Sequence, residues 1–108
     1  MLRFKKGDII DLDFNPQAGH EQKGRRPALV ITNNNYNKKC AMIMVAPITH
    51  TDKNHPFHVK LVGTETVDGV ILCDQAKMLD VYERNAEFIE IAPADITKEA
   101  VKLIKSFL

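Results

Sequence analysis

Over most of this chain, apolar residues come in short, strand-like runs, and helical periodicity appears only near the C-terminus. From Asp8 to Phe14, apolar Ile10, Leu12 and Phe14 alternate with aspartates, which is the two-residue period of a half-buried strand. Further strands are predicted at Ala28–Ile31 (opened by Pro27), Cys40–Ile48, Phe57–Val62, Val70–Leu72 and Phe88–Ala92. So many short strands predict a mainly β fold, a small barrel of about six to seven strands.

The C-terminal segment differs from the rest in its period. Apolar residues there follow a helical stripe, Ile96, Ala100, Leu103, Ile104, Phe107 and Leu108. Asp95 is expected to cap this amphipathic helix, with Pro93 in the turn that enters it. The long apolar run Cys40–Ile48 needs cover on both faces, which the helix or a partner subunit would supply. A polar segment, Asn33–Lys39, is expected to form a turn with one helical turn in it.

Size and composition limit the classes of protein that this chain can belong to. Its 108 residues predict a single domain over 1–108. No apolar run approaches the ~20 residues of a membrane-spanning helix. Cys40 and Cys73 are too few for a disulfide framework, which favours a reducing, cytoplasmic setting. No Asp, Glu or His cluster has metal-ligand spacing in the sequence, so no metal site and no cofactor are predicted.

Charge is distributed unevenly along the chain, although the formal net charge is only +1. Residues 1–60 carry ten Lys and Arg against five Asp and Glu, whereas residues 61–108 carry five against nine. A basic first half would attract a polyanion. The alternative is that this asymmetry disappears once the chain folds back on itself.

A long charged loop joins the first two predicted strands. It begins at Gly19, contains His20, and continues through Gly24 to Arg25 and Arg26. Its length of about ten residues exceeds that of a usual hairpin connection, and long loops are often functional. Its histidine, carboxylate, amide and arginines could bind an anion, and a solvated polar hairpin is the alternative.

Several short motifs together resemble the MazF/PemK family, the ribosome-independent endoribonuclease toxins of bacterial toxin–antitoxin modules. They are Gly7-Asp8-Ile9, Phe14-Asn15-Pro16, Gly19-His20-Glu21-Gln22-x-Gly24-x-Arg26-Pro27-Ala28-Leu29-Val30, Pro47-Ile48-Thr49 and Cys73-Asp74-Gln75. The resemblance runs in order across essentially the whole chain and includes the terminal helix. It implies an SH3-like barrel with a C-terminal amphipathic α-helix.

The resemblance also implies catalytic residues. Arg26 would be the main catalytic residue and Thr49 its partner on the phosphate. A surface salt bridge is the alternative role for Arg26, and a backbone hydrogen bond after Pro47 is the alternative for Thr49. His20 and Asp74 resemble the acid–base residues of the Kid/PemK branch. That branch has an arginine two positions before the aspartate where this chain has a leucine, which favours the scheme based on Arg26 and Thr49.

The other site candidates are polar or aromatic residues expected to contact RNA. They are Glu21, Gln22, Lys23, Arg25, Gln75, Tyr36, His50 and Lys53. Among these, Tyr36 is suited to stacking on a base. Phe4 and Phe88 are expected in the core, and His50, His55 and His58 at the surface.

The resemblance implies a sequence-selective, metal-independent endoribonuclease that cleaves single-stranded mRNA and, like similar proteins, leaves a 2′,3′-cyclic phosphate (or 3′-phosphate) and a 5′-hydroxyl. The expected partners are a second copy of the chain and a cognate antitoxin with a disordered tail, with operator DNA contacted only through the antitoxin. A gyrase poison like CcdB shares the fold but depends on a C-terminal tryptophan segment, and this chain has no tryptophan. A non-catalytic RNA-binding module is the other alternative.

Overall fold

The structure, a computed structural model, describes residues 3–14 and 24–108. Its described part contains seven strands, β1 Asp8–Asp13, β2 Arg25–Val30, β3 Met42–Thr49, β4 His58–Leu61, β5 Gly69–Leu72, β6 Lys77–Asp80 and β7 Glu87–Ile91. They form one antiparallel sheet in the order β4-β5-β3-β2-β1-β7, and β6 pairs with β3. A short helix, α1 Asn34–Asn37, follows β2, and the long helix α2 Ala94–Ser106 follows β7. A 3-10 turn at Cys73–Gln75 separates β5 from β6.

Strand β3 is the centre of the sheet because it pairs with three other strands. Its first half pairs with β6, from Met42 opposite Asp80 to Val45 opposite Lys77. The end of the strand pairs with β5, where Thr49 lies opposite Val70. Because one strand serves two partners along the same edge, the sheet curls into a half-barrel.

Two apolar clusters form the core, one on each face of the sheet. Helix α2 covers the first cluster, to which β1 contributes Ile9 and the helix contributes Ile96, Ala100 and Ile104. The opposite face carries the second cluster, whose members include Phe4, Ile10, Leu12, Phe14, Val45 and Val81. Burial on both faces explains why the run that forms β3 is apolar almost throughout.

The predicted fold class, a mainly β barrel-like sheet with a C-terminal helix, is confirmed. The helical turn predicted within Asn33–Lys39 is α1, and the side chain of Asn33 accepts a hydrogen bond from Tyr36 N there. Among the described residues no helix is both long and apolar enough to cross a bilayer.

Three details of the prediction are wrong. Strand β2 begins at Arg25 rather than Pro27, because Arg25 and Arg26 pair with Asp13 and Leu12 of β1. Pro93, not Asp95, is the N-cap residue of α2, and Asp95 lies in the first turn, where its charge still favours the helix dipole. Phe88 is 54% exposed rather than buried, because β7 is an edge strand.

The carboxylate of Glu90 holds the loop between β4 and β5 against β7. It accepts hydrogen bonds from the backbone N–H groups of Glu65, Thr66 and Val67 at 2.7–3.0 Å. Desolvation pushes the pKa of Glu90 upwards, but the three hydrogen bonds outweigh it and leave the pKa below its ordinary value. The ionised carboxylate of Glu90 therefore stabilises the fold.

Candidate active site

A polar cavity of about 470 Å³ lies where the ends of several strands meet. The described residues that line it are Arg26, Thr49, Thr51, Lys53, His58, Leu72 and Gln75. They come from β2, β3, β4, β5, the loop after β3 and the 3-10 turn. Two cations, hydroxyls and an amide in one cavity suit a phosphate-bearing ligand.

The first two residues of β2, Arg25 and Arg26, point to opposite faces of the sheet. Arg26 lines the cavity. Consecutive strand residues point to opposite faces, and Arg25 accordingly turns away from the cavity. Its Nε lies 2.6 Å from Asp11 Oδ2, and its Nη2 donates to the Asn85 carbonyl at 2.6 Å. Glu87 is a further ionic partner of Arg25, at 3.7 Å. Arg25, a predicted RNA contact, is therefore held by these partners and is not among the residues that line the cavity.

Thr49 is the last residue of β3, and its backbone is held by β5. Its hydroxyl oxygen accepts a 3.4 Å hydrogen bond from Thr51 N, within the loop that follows the strand. Gly69 has a φ of +121°, and a Cβ at this position would lie 2.2 Å from the Thr49 carbonyl oxygen. Only glycine permits this approach, which places Thr49 at the rim of the cavity.

His58 and Asp74 meet beside the cavity although they are 16 residues apart in the chain. His58 Nε2 lies 3.1 Å from Asp74 Oδ1, and the His58 side chain is only 10% exposed. His55 stacks on His58 with ring centroids 4.4 Å apart, and its Nε2 is 3.9 Å from Asp74 Oδ2. The expectation that His58 is a surface histidine is wrong.

Two buried polar atoms of the site have no hydrogen-bond partner among the described residues. They are His58 Nδ1 and Gln75 Oε1. An unpaired buried acceptor costs free energy that a ligand with a suitable donor recovers. By contrast, burial, followed by the charges of Asp74 and Glu99, raises the pKa of the Cys73 thiol to about 12. Cys73 is therefore unreactive near neutral pH.

The predicted site residues separate into three groups. Arg26, Thr49, Gln75 and Lys53 line the cavity, and Asp74 contacts one of its lining residues. Tyr36 lines a different groove near α2, and the 84% exposed His50 pairs with Asp68 at 2.9 Å. His20, Glu21, Gln22 and Lys23 lie outside the described residues.

Sequence reasoning missed His58, Thr51 and Leu72 as cavity residues. The alternation of β4 gave a partial signal for His58, since Val59 and Leu61 are buried and His58 must face the other way. The face of β4 that carries His58 borders the cavity because His58 pairs with Leu72 on β5. Pairing between strands is not visible in the local pattern.

Comparison with known proteins agrees with the motifs and the fold. A family model described as "PemK-like, MazF-like toxin of type II toxin-antitoxin system" matches residues 5–108. The chain belongs to this family. The "Endoribonuclease toxin MazF" of Escherichia coli K12 is 40% identical over 100 residues, covering 93% of this chain and 86% of that protein. The resemblance inferred from the motifs is thus confirmed.

Solved structures extend the comparison to the whole fold. A MazF crystal structure from Deinococcus radiodurans superposes with a TM-score of 0.90 at 40% identity. A MazE–MazF structure from the same organism gives a TM-score of 0.84, also at 40% identity. Each alignment covers 96% of this chain and 94% of the matched chain. The curled sheet and the terminal helix are therefore shared features of these proteins.

Proposed function

We propose that this toxin-family protein is a sequence-selective, metal-independent endoribonuclease that cleaves single-stranded RNA, with mRNA as its cellular substrate. The observation that carries the proposal is that Arg26, Thr49 and Lys53 share one polar cavity with Gln75. Its E. coli relative is named an endoribonuclease. The two cysteines that the structure records as unpaired suit action in a reducing cytoplasm.

The chemistry proposed for the cavity is attack of a ribose 2′-oxygen on the adjacent phosphorus. The new O–P bond forms as the bond to the 5′-oxygen breaks, which leaves a 2′,3′-cyclic phosphate and a 5′-hydroxyl. Addition of water across the cyclic ester then gives the 3′-phosphate. The planar guanidinium of Arg26 binds two phosphate oxygens and stabilises the charge that develops on them. Thr49 donates its hydroxyl to the same phosphate, and Lys53 adds a point charge.

Protons must move to and from the two ribose oxygens during this reaction. An arginine guanidinium does not release its proton near neutral pH, so another group carries out these transfers. Within the described part of the chain, the proposed groups are Asp74 and His58, which contact each other beside the cavity. His20, the other acid–base candidate, lies outside the described residues.

We assign recognition of a particular RNA sequence to polar groups around the cavity. The unpaired Gln75 Oε1 would accept a hydrogen bond from a base. Base edges become accessible only when the bases are unstacked, so we propose single-stranded RNA as the substrate and expect duplex RNA to resist cleavage.

The direct test is cleavage of a short single-stranded RNA by the purified chain in EDTA. We expect a cyclic phosphate or 3′-phosphate on one fragment and a 5′-hydroxyl on the other, because 2′-hydroxyl attack needs no metal-activated water. Sequencing the 5′ ends of the cleaved RNA fragments would identify the recognition sequence. Cleavage that vanishes in EDTA and returns with magnesium would contradict this mechanism. Binding of RNA without cleavage would favour the non-catalytic alternative.

We also propose that the chain forms a homodimer and is inhibited by a cognate antitoxin. The MazE–MazF structures from D. radiodurans support the second part. A disordered antitoxin tail with acidic and apolar residues would complement Arg26 and Lys53 at the cavity. Contact with operator DNA is assigned to the antitoxin rather than to this chain.

A further inference from the structure

Three potential metal ligands meet at the edge of the cavity. The ligand atoms of His55, His58 and Asp74 all lie within 4.8 Å of one another. The Asp74 carboxylate presents one oxygen to each ring, 3.1 Å from His58 Nε2 and 3.9 Å from His55 Nε2. With both imidazoles neutral, two histidines and an aspartate carboxylate form a ligand set of net negative charge, whereas Arg26 and Lys53 elsewhere in the cavity lining are cations.

We propose that His55, His58 and Asp74 form a zinc-binding site whose occupation stops RNA cleavage. Zinc favours imidazole nitrogen and carboxylate oxygen, and three protein ligands leave a fourth position for water. Tetrahedral zinc with bonds of about 2.1 Å separates its ligand atoms by roughly 3.4 Å. The separations of Asp74 from His58 and His55, 3.1 and 3.9 Å, bracket this value, and all three ligand atoms lie within 4.8 Å of one another. Rotation of the exposed His55 side chain would complete the site.

Binding requires a change in where each ring carries its proton. His55 Nδ1 now accepts a hydrogen bond from Phe57 N at 3.1 Å, which leaves the proton of the neutral ring on Nε2. Zinc at Nε2 moves that proton to Nδ1 and breaks this exposed hydrogen bond, which is worth about 0.5–1.5 kcal/mol. Moving the His58 proton from Nε2 to Nδ1 replaces the 3.1 Å hydrogen bond to Asp74 Oδ1 with bonds from both groups to zinc. His58 Nδ1 has no partner among the described residues that the proton would displace.

Neighbouring charges make this a moderate-affinity site. Arg26 and Lys53 line the cavity beside His58 and oppose a second cation, whereas the Asp74 carboxylate favours it. We therefore expect a dissociation constant in the micromolar range, as in a regulatory site, rather than the tight binding of a structural zinc.

The inhibitory part of the inference rests on the proposed function. Zinc would engage His58 and Asp74, the two groups proposed to move protons, and would place a cation where the RNA must enter. Metal-independent cleavage and zinc inhibition are compatible, because the metal is not required for the reaction and only occupies its acid–base groups.

Zinc binding is tested directly by calorimetry with zinc chloride on protein freed of metal by EDTA and dialysis. We expect one zinc per chain for the wild type, and at least about tenfold weaker binding for His55→Ala, which removes a ligand from the surface. His50→Ala is the matched control, since His50 is an exposed histidine paired with Asp68. Cys40→Ser controls for the half-buried thiol.

The inhibition of RNA cleavage by zinc is measured with the same proteins and a short single-stranded RNA. Zinc chloride should suppress wild-type cleavage, EDTA should restore it, and the same concentration of magnesium chloride should have no effect, because magnesium prefers oxygen ligands. The readout is the ratio of each variant's rates with and without zinc: zinc should leave the His55→Ala rate measured in EDTA unchanged, whereas the two control variants should remain sensitive.

Failure of binding and failure of activity are distinguishable outcomes. A wild type that binds no zinc, or a His55→Ala variant that binds it as tightly, overturns the metal site. Binding without inhibition overturns the regulatory role. A wild type that cannot cleave RNA in EDTA refutes the proposed function, while calorimetry still decides the metal site.

Discussion

At the residue scale, the two consecutive arginines of β2 have different partners despite their identical side chains. Arg25 is engaged by Asp11, Glu87 and the Asn85 carbonyl, and Arg26 lines the cavity. The difference follows from strand geometry, which turns neighbouring side chains to opposite faces of the sheet. The pair provides a matched test of the proposed site.

We predict that Arg26→Ala lowers the cleavage rate by roughly 10²–10³-fold, as loss of a preorganised charge stabiliser does. Arg26→Lys should not restore the rate, because a point charge does not replace a planar fork. Thr49→Ala should lose less. Single-turnover rates on one short RNA measure all three.

Arg25→Ala is the control for this series. It should keep most of the cleavage rate and lose stability, because it leaves Asp11 without its ionic partner. If Arg26→Ala were fully active, or if Arg25→Ala were the inactive variant, the assignment of the site would be wrong.

At the scale of elements, the contact between β3 and β5 sets the position of Thr49. Gly69 begins β5 and passes so close to the Thr49 carbonyl that no side chain fits between them. The two strands pair at Thr49 opposite Val70. A glycine far from Thr49 in sequence thus determines where a proposed catalytic hydroxyl lies.

We predict that Gly69→Ala reduces both stability and cleavage. The strained backbone alone costs about 1–3 kcal/mol, and the new Cβ forces β3 and β5 apart. Urea unfolding and the single-turnover rate on folded protein provide the two measurements.

Gly24→Ala is the stability control for this prediction. Gly24 also has a positive φ, +79°, but a Cβ there meets nothing within 4 Å among the described residues. It should therefore cost less than Gly69→Ala. Equal losses of stability in the two variants would show that the close approach of Gly69 to Thr49 has no effect.

At the scale of the whole molecule, an apolar groove lies between α2 and the sheet, away from the cavity. A volume of about 310 Å³ is lined by Lys6, Ile31, Thr32, Asn33, Tyr36, Met44, Val101, Ile104, Lys105 and Leu108. Leu108 is 89% exposed, and Met42 and Phe107 are also exposed. Apolar surface of this kind marks interfaces, which supports the proposed homodimer.

We predict a homodimer at micromolar concentration in sedimentation equilibrium. Leu108→Glu introduces a charge into the groove at a residue that is 89% exposed, so it should shift the protein to monomers without unfolding it. Val62→Glu, at an exposed valine that does not line the groove, should remain dimeric. A monomeric wild type would overturn the homodimer, and an unchanged Leu108→Glu dimer would exclude this groove as its interface.

The sequence by itself determined the type and order of the elements and the family. The alternation in β1 and the helical stripe of α2 are local patterns, because each side chain's face depends on its distance from near neighbours. The motif from Gly19 to Val30 and the later Thr49 and Asp74 were sufficient to indicate the family and the candidate residues Arg26 and Thr49.

Only the tertiary structure decided which of those residues meet. The contact of His58 with Asp74 depends on how β4 pairs with β5 and on where the 3-10 turn leaves the sheet. The separation of Arg25 from Arg26 depends on the pairing of β2 with β1, which begins earlier than Pro27 suggested. Strand pairing joins residues far apart in the chain, and no local period encodes that choice of partner.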